Sequence, residues 1–425
     1  MKRLGKILKW IGIGAGAVIA VLLMLNTCYV WSTGTRLERR LAALRSAGEP
    51  VQIADLAREP IPPESNADTF LRRADDDLDA IQKELMALYP KTVFPTGKPS
   101  PADRDRLEKL FAAYPKVMPL LEQAAACPDY DPQIDVTQPP SQLVGSFMDR
   151  VSKHRTLARV LRAHTALRLS QGRPDDALAA QLLTLRLARK WRADPVLIGY
   201  LVTVACESVA MEGANQVLQT GPVSASTRQA LDAELALHDN LDGLRWALRS
   251  ERAFSLSTLR ELFGSVFWPP RVFTNDVMLR ILDLFDHHLQ GTSRPYSEAV
   301  SRNYVDSSPG GVPNPFRALV TLLEPSLVST RQAAERSRAL FRSLRVLNAL
   351  QARAGGDDHT PDLATLGLPP EATVDPFNGE PLHVKKLPEG WMVYSVGSDG
   401  VDDGGTLDGK TDFGFGPIGR HESPK

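Results

Sequence analysis

The chain changes its hydrophobic rhythm twice. From Trp10 to Trp31 it is apolar on every side and carries no charge, about the length a helix needs to cross a bilayer. From Arg36 onward apolar residues return at helical spacing, beginning with Leu37, Leu41 and Leu44. The same period predicts helices from Ser65 or Asn66, either of which can cap, to Tyr89, then over Ala102–Cys127, Gln142–Gln171, Pro174–Arg192 and Pro195–Gln219. Further helices are predicted over Ser226–Leu262, Asn275–Leu289 and Pro313–Ala354. Clusters of Pro, Gly and Asp separate them, and strand signals are nearly absent.

The second change comes near the C-terminus. Leu382-His-Val-Lys-Lys386 alternates apolar and polar residues, Leu387-Pro-Glu-Gly390 suits a tight turn, and Trp391-Met-Val-Tyr-Ser-Val396 favours a strand. These residues predict an antiparallel hairpin. A loop follows that is rich in glycine and carboxylate: Gly397, Asp399, Gly400, Asp402, Asp403, Gly404, Gly405, Asp408 and Asp412. Hard oxygen ligands on a backbone free to turn suit calcium, although the spacing is not that of an EF-hand. A solvated acidic turn is the alternative.

The expected architecture is therefore mainly α. An N-terminal transmembrane helix leads into an irregular body of antiparallel, repeat-like helix pairs, which ends in a small antiparallel β module with a Gly/Asp loop. The expected divisions are 1–33 for a cytoplasmic stub and anchor, 34–327 for the helical body, 328–413 for a long helix with the β module, and 414–425 for a flexible tail. At Gly172-Arg-Pro-Asp-Asp-Ala-Leu178 one helix stops at glycine and the next starts at proline. The join looks like the turn inside a tetratricopeptide repeat, but no second copy follows at that period.

Trp10, Tyr29 and Trp31 sit where an aromatic belt would meet the two membrane interfaces. Lys2, Arg3, Lys6 and Lys9 favour a cytoplasmic N-terminus, against which Arg36, Arg39, Arg40 and Arg45 act from the other side. With no small-x-small cleavage site, the segment reads as an uncleaved signal anchor. The expectation is a single pass in the inner membrane through residues 10–31, in contact with lipid, with the bulk of the chain periplasmic. Balanced charge, with 50 basic and 50 acidic residues, argues against a nucleic-acid-binding surface. The arginine-rich stretches read as exposed faces of amphipathic helices. The run Asp75-Asp-Asp77 with Asp79 likewise reads as a solvated face. Cys28 and Cys206 read as small buried hydrophobes, and a Cys127–Cys206 bridge stays open outside the cytoplasm.

The terminal module carries a resemblance. Asp375-Pro-Phe-Asn-Gly379, Pro381, Tyr394-Ser-Val-Gly-Ser-Asp-Gly400 and Gly404-Gly405 resemble the C-terminal part of the major pseudopilin of type II secretion. The resemblance covers about one-sixth of the chain, roughly residues 340–413. It implies a long helix packed on a small antiparallel sheet and a last loop that holds calcium. The implied ligands are the carbonyl of Val396 and the carboxylate of Asp399, with Asp408 and Asp412 as the nearest later candidates; the spacing after Gly405 departs from the family's. The N-terminus lacks that family's glycine cleavage site followed by phenylalanine and glutamate, so a pilus subunit is not expected. The stretch Leu44-Arg-Ser-Ala-Gly-Glu-Pro50, the helix start at Asn66-Ala67 and the terminal module together resemble large bacterial membrane-anchored helical proteins, which implies no activity.

No zinc motif, nucleophile elbow or phosphate loop is present; Ser307-Ser-Pro-Gly-Gly311 lacks the lysine and hydroxyl of the last. His154 and His164 lie ten residues apart on one predicted helix, too far to share a metal. The expected function is non-enzymatic: an extracytoplasmic scaffold that binds other envelope proteins, with calcium in a structural role and an association with secretion machinery. The alternative is an envelope hydrolase whose site assembles from scattered helices, which requires a deep pocket with converging His or carboxylate groups of shifted pKa.

Overall fold

The computed structural model describes residues 2–89, 99–264, 271–301, 317–353, 362–407 and 411–417. Asp408, Ser307–Gly311 and residues 418–425 of the expected tail lie outside the described residues.

The first helix, α1 (Lys2–Ser46), runs unbroken from the apolar segment into the amphipathic one. Its lower part is bare: Trp10, Leu22, Met24 and Trp31 are all exposed. From Thr33 the character reverses, and Leu37 and Leu41 are buried against Leu282 and Phe285. Arg40 fixes the contact, donating to Asp283 at 2.5 Å and Asp286 at 2.6 Å. Thus α1 is a candidate membrane anchor whose continuation is part of the body's core.

Next come α2 (Ala67–Leu88), α3 (Pro101–Ala113), α4 (Val117–Ala126), α5 (Pro140–Ser170), α6 (Pro174–Trp191) and α7 (Leu197–Thr220). They are followed by α8 (Ala225–His238), α9 (Asp242–Phe263), α10 (Arg271–Gly291), α11 (Tyr296–Ser301) and α12 (Arg317–Ala352). The glycine stop holds as read: Gly172 takes φ +70°, and Pro174 opens α6 so that α5 and α6 form a helical hairpin. Asn66 caps α2 by accepting the Asp68 N–H. Helix α7 is also apolar enough to cross a membrane, but 67 % of its most apolar window is buried, against 0 % for α1. It is a core helix.

Three of the apolar cores among the described residues hold most of the body. The first joins α2, α4, α5 and α6; the second joins α7, α8 and α12 to the sheet; the third joins α1 to α9, α10 and α12. Two predicted helices are each broken in two. Pro115 has no N–H to give and restricts Tyr114 before it, so Ala102–Cys127 divides into α3 and α4. Ser226–Leu262 divides at Asp239-Asn240-Leu241, where Asp239 is drawn to Arg338 and Arg342 of α12 and Asn240 accepts the Asp242 N–H.

The hairpin stands as predicted: β1 (His383–Leu387) pairs antiparallel with β2 (Gly390–Ser395), closed by Leu387 opposite Gly390. A third strand, β3 (Phe413–Phe415), was not anticipated; Gly414 and Phe415, in the segment expected as a tail, complete it against β2. Gly414 is required there, because a Cβ would lie 2.1 Å from the Val393 carbonyl oxygen. The sheet packs on α12 through Val393, Phe413 and Phe415. Asp375 ties the preceding turn to β2. Its Oδ1 accepts the Phe377 N–H and the Ser395 hydroxyl, both at 2.9 Å, and its Oδ2 accepts the Val396 N–H at 3.0 Å. The carboxylate is fully buried, and each of these donors would cost about 1–3 kcal/mol if left without an acceptor.

The arginine-rich stretches depart from the expectation of exposed faces. Arg162, Arg331, Arg342 and Arg345 are buried, and the last three are held by Glu335, Asp239 and Asp232 respectively. Amphipathic spacing marks which helix face is polar, not whether a second polar face covers it. All three cysteines are free; Cys127 and Cys206 are buried, and Cys28 lies on the exposed part of α1.

Candidate functional site

The described residues hold three polar assemblies that differ in how completely they are paired. The β-module loop contains the predicted calcium ligands. Val396 is buried, and its N–H goes to Asp375. Asp399 is exposed and its Oδ1 caps the Val401 N–H at 3.1 Å. Asp412 is fully buried; its Oδ2 accepts the Gly405 and Thr406 N–H groups at 2.7 and 3.2 Å, while among the described residues its Oδ1 has no partner within hydrogen-bond geometry. Burial raises the Asp412 pKa. A buried carboxylate oxygen without a donor suits a cation, so Asp412 fits the expected role in kind. Among the described residues no group of three or more His, Cys, Asp and Glu stands close enough to hold a metal.

The second assembly is a closed clamp. Arg192, just past the end of α6, donates to both oxygens of Glu207 on α7, at 2.8 and 3.1 Å. His238 of α8 sets Nδ1 2.9 Å from Glu207 and Nε2 3.3 Å from Glu234, and Ser337 of α12 adds a hydroxyl at 3.3 Å. Burial alone would raise the Glu207 pKa, but Arg192 and then His238 draw it down to about 2. Glu207 and His238 are inaccessible to solvent. The arrangement joins four helices around one carboxylate that is closed to solvent.

The third assembly borders a cavity. Asn66 accepts the Asp131 N–H and donates to the Asp131 carbonyl, which pins the 129–131 segment beside α2 and places Tyr130 against α5. Asp68, one position into α2, then accepts from Arg72 at 2.6 Å and from Arg150 at 2.8 Å. Arg150 also donates to the Tyr130 hydroxyl at 2.6 Å. A guanidinium can only donate, so the phenol keeps its single proton for an acceptor, either His154 Nε2, 3.2 Å away, or the Asp194 carboxylate. Where His154 Nε2 accepts it, the neutral ring carries its one N–H on Nδ1, which faces Asp194 Oδ2 at 3.7 Å, too long for a hydrogen bond. The imidazole stacks on Trp191, with centroids 4.0 Å apart and planes within 9°.

Burial shifts each group toward its neutral form. Burial lowers the His154 pKa well below its ordinary value, with Arg150 adding to the effect. Burial raises Asp194 to about 7, against the opposing pull of Arg150. Burial also carries the Tyr130 phenol above its ordinary range. The cavity, about 310 Å³, has Leu71 and Leu157 along its apolar side and His154 in its wall. Lys153 and Asp75, paired at 2.6 Å, stand at its edge. Asp75 is therefore half-buried in an ion pair, unlike the solvated face expected for it, while Asp76 and Asp79 are exposed. Chemically, the cavity offers a neutral imidazole backed by a carboxylate that is part-protonated near neutral pH.

Sequence reasoning missed this cluster. The available signal was the spacing of Arg150 and His154, which shares one helix face at i and i+4. Tyr130 and Asp194 lie in turns, where nothing in the local pattern points to α5.

Asp194 gives a pH test. Between its ordinary pKa of 3.8 and the folded value of about 7 the folded state takes up a proton that the unfolded chain does not. The cost of burying the carboxylate is thus absent at low pH and complete above pH 7. Asp194→Asn removes it, so the Tm gain of the variant over the unaltered protein should be larger at pH 8 than at pH 5, by at least about 3 °C. An equal difference at both pH values in calorimetry would contradict the assignment.

No family model matches the chain, and no curated protein or solved structure matches it.

Proposed function

We propose that the chain is a single-pass membrane-anchored scaffold, non-enzymatic, whose helical body and calcium-stabilised β module engage other proteins of the cell envelope. The observation that carries this reading is the contrast along α1. Its uncharged stretch is covered by nothing, whereas the next turns of the same helix are core. An apolar surface of that length is stable when lipid replaces water around it. The body is then an irregular array of antiparallel helix pairs on the outer side of the inner membrane, and the pseudopilin-like module supports an association with secretion machinery. In the β module Asp412, the Val396 carbonyl and Asp399 would hold calcium, with Asp408 as a further ligand. The ion would tie together a loop that has little apolar burial of its own.

Thermal unfolding of the full chain in detergent, with calcium and with chelator, tests the metal. A ligand at a hundred times its Kd stabilises the folded state by about 2.7 kcal/mol. The calcium-dependent rise should vanish in Asp412→Asn and shrink in Asp399→Ala. Identical unfolding with and without chelator would reduce the loop to an acidic turn.

A second reading, an envelope hydrolase, is favoured by the cavity at His154. In it the imidazole is the general base and Asp194 tunes its proton affinity. Both His154→Gln and Asp194→Asn should then abolish turnover of ester, phosphoester or peptide substrates. If the unaltered chain turns over none of them, or both variants retain the rate, this reading fails.

A further inference from the structure

Where α1 passes from its bare stretch into the body, it leans over α9 and α10 and leaves a groove of about 850 Å³. Trp31, Phe263 and Met278 line it with apolar surface, and Arg39, Arg260 and Arg271 line it with positive charge. Glu38 is its one acidic lining residue. The three arginines differ from the paired arginines of the body. Arg150, Arg192, Arg252, Arg338, Arg342 and Arg345 each hold a carboxylate. Among the described residues none of the groove's three forms an ion pair; Arg39 and Arg260 each give one N–H to a backbone carbonyl, of Thr35 and Val51. Burial lowers the Arg260 pKa and nearby Arg45 lowers it further, against the weaker pull of Glu38 and Asp55.

The groove's position names its occupant. It opens at Trp31, the aromatic residue that ends the bare apolar stretch, so it lies at the level of the lipid headgroups. An apolar wall continuous with the hydrocarbon, topped by arginines with no carboxylate partner, complements a molecule with acyl chains below and negative charge above.

We propose that this groove binds one anionic phospholipid of the bilayer that α1 enters, its headgroup phosphate at Arg39, Arg260 and Arg271 and its upper acyl carbons against Trp31, Phe263 and Met278. The inference rests on α1 being a membrane anchor. A lipid seated there fills the notch between anchor and body and sets how the body stands on the membrane.

The test is reconstitution of the full chain into nanodiscs of equal parts phosphatidylglycerol and phosphatidylcholine, followed by native mass spectrometry of the lipid retained. One anionic lipid should stay bound in preference to the zwitterionic one. Because each arginine at an anionic surface is worth about a fivefold change, Arg39→Gln with Arg260→Gln should bring the preference close to parity. Arg39→Gln alone, at an exposed position, should lower it partway without disturbing the fold. Arg36→Gln removes a charge at the same level outside the groove and should leave the preference intact. Equal retention of both lipids by the unaltered chain, or the same loss in Arg36→Gln as in the groove variants, overturns the proposal. Failure of the chain to enter discs of any composition, with release by alkaline carbonate, overturns the anchor reading and the proposal with it.

Discussion

The structure depends on one helix that must satisfy two solvents. From Trp10 to Trp31 α1 carries no charge and presents mostly apolar side chains to its surroundings, and water is a poor solvent for them. A turn later the same helix has Leu37 and Leu41 in a protein core and Arg40 paired with two aspartates of α10. The hydrogen-bonded backbone is continuous across the change. Any tilt of the anchor is therefore passed to α10, and through it to α9 and α12, because these helices share one core with α1. The groove between α1 and α9–α10 is a consequence of that geometry: a straight helix leaving a rounded body opens a notch at the point of departure.

The rest of the body is joined by buried charge as much as by apolar packing. Glu207 draws α6, α7, α8 and α12 onto one carboxylate, and Asp239 adds two arginines of α12. Desolvation makes such groups costly alone, and here each is offset by several partners. Since α12 also carries the sheet, the β module is coupled to the helical body through these same contacts. The Tyr130–His154–Asp194 cluster is of another kind. It has fewer partners than its burial calls for, it borders a cavity, and burial raises the Asp194 pKa to about 7. That imbalance distinguishes a candidate site from a clamp.

Much of this was legible in the residues because the signals were local. Gly172 and Pro174 mark a helix stop and start by their own backbone limits, Asn66 is a cap by its own side chain, and the β1–β2 hairpin follows from two-residue alternation around Pro388-Glu389. What was not legible depends on distant partners. Phe413-Gly-Phe415 is too short to announce a strand; it becomes one because β2 offers an open edge and Gly414 allows close approach. The break at Asn240 and the burial of Arg342 and Arg345 share one cause, the carboxylates of α8 and its following turn meeting α12. Asp194 stands before Pro195 at a helix boundary, and only the fold brings it beside His154.

The most direct test of the account is a nitroxide scan of residues 9–46 in the full chain reconstituted in lipid, reading the accessibility of each position to oxygen and to a water-soluble relaxing agent. The account predicts lipid exposure on all faces through Trp31. From Thr33 an unbroken helical period should follow, with positions 33, 37 and 41 shielded from both agents. Access of the water-soluble agent throughout residues 10–31, or loss of the helical period between residues 31 and 37, would contradict it.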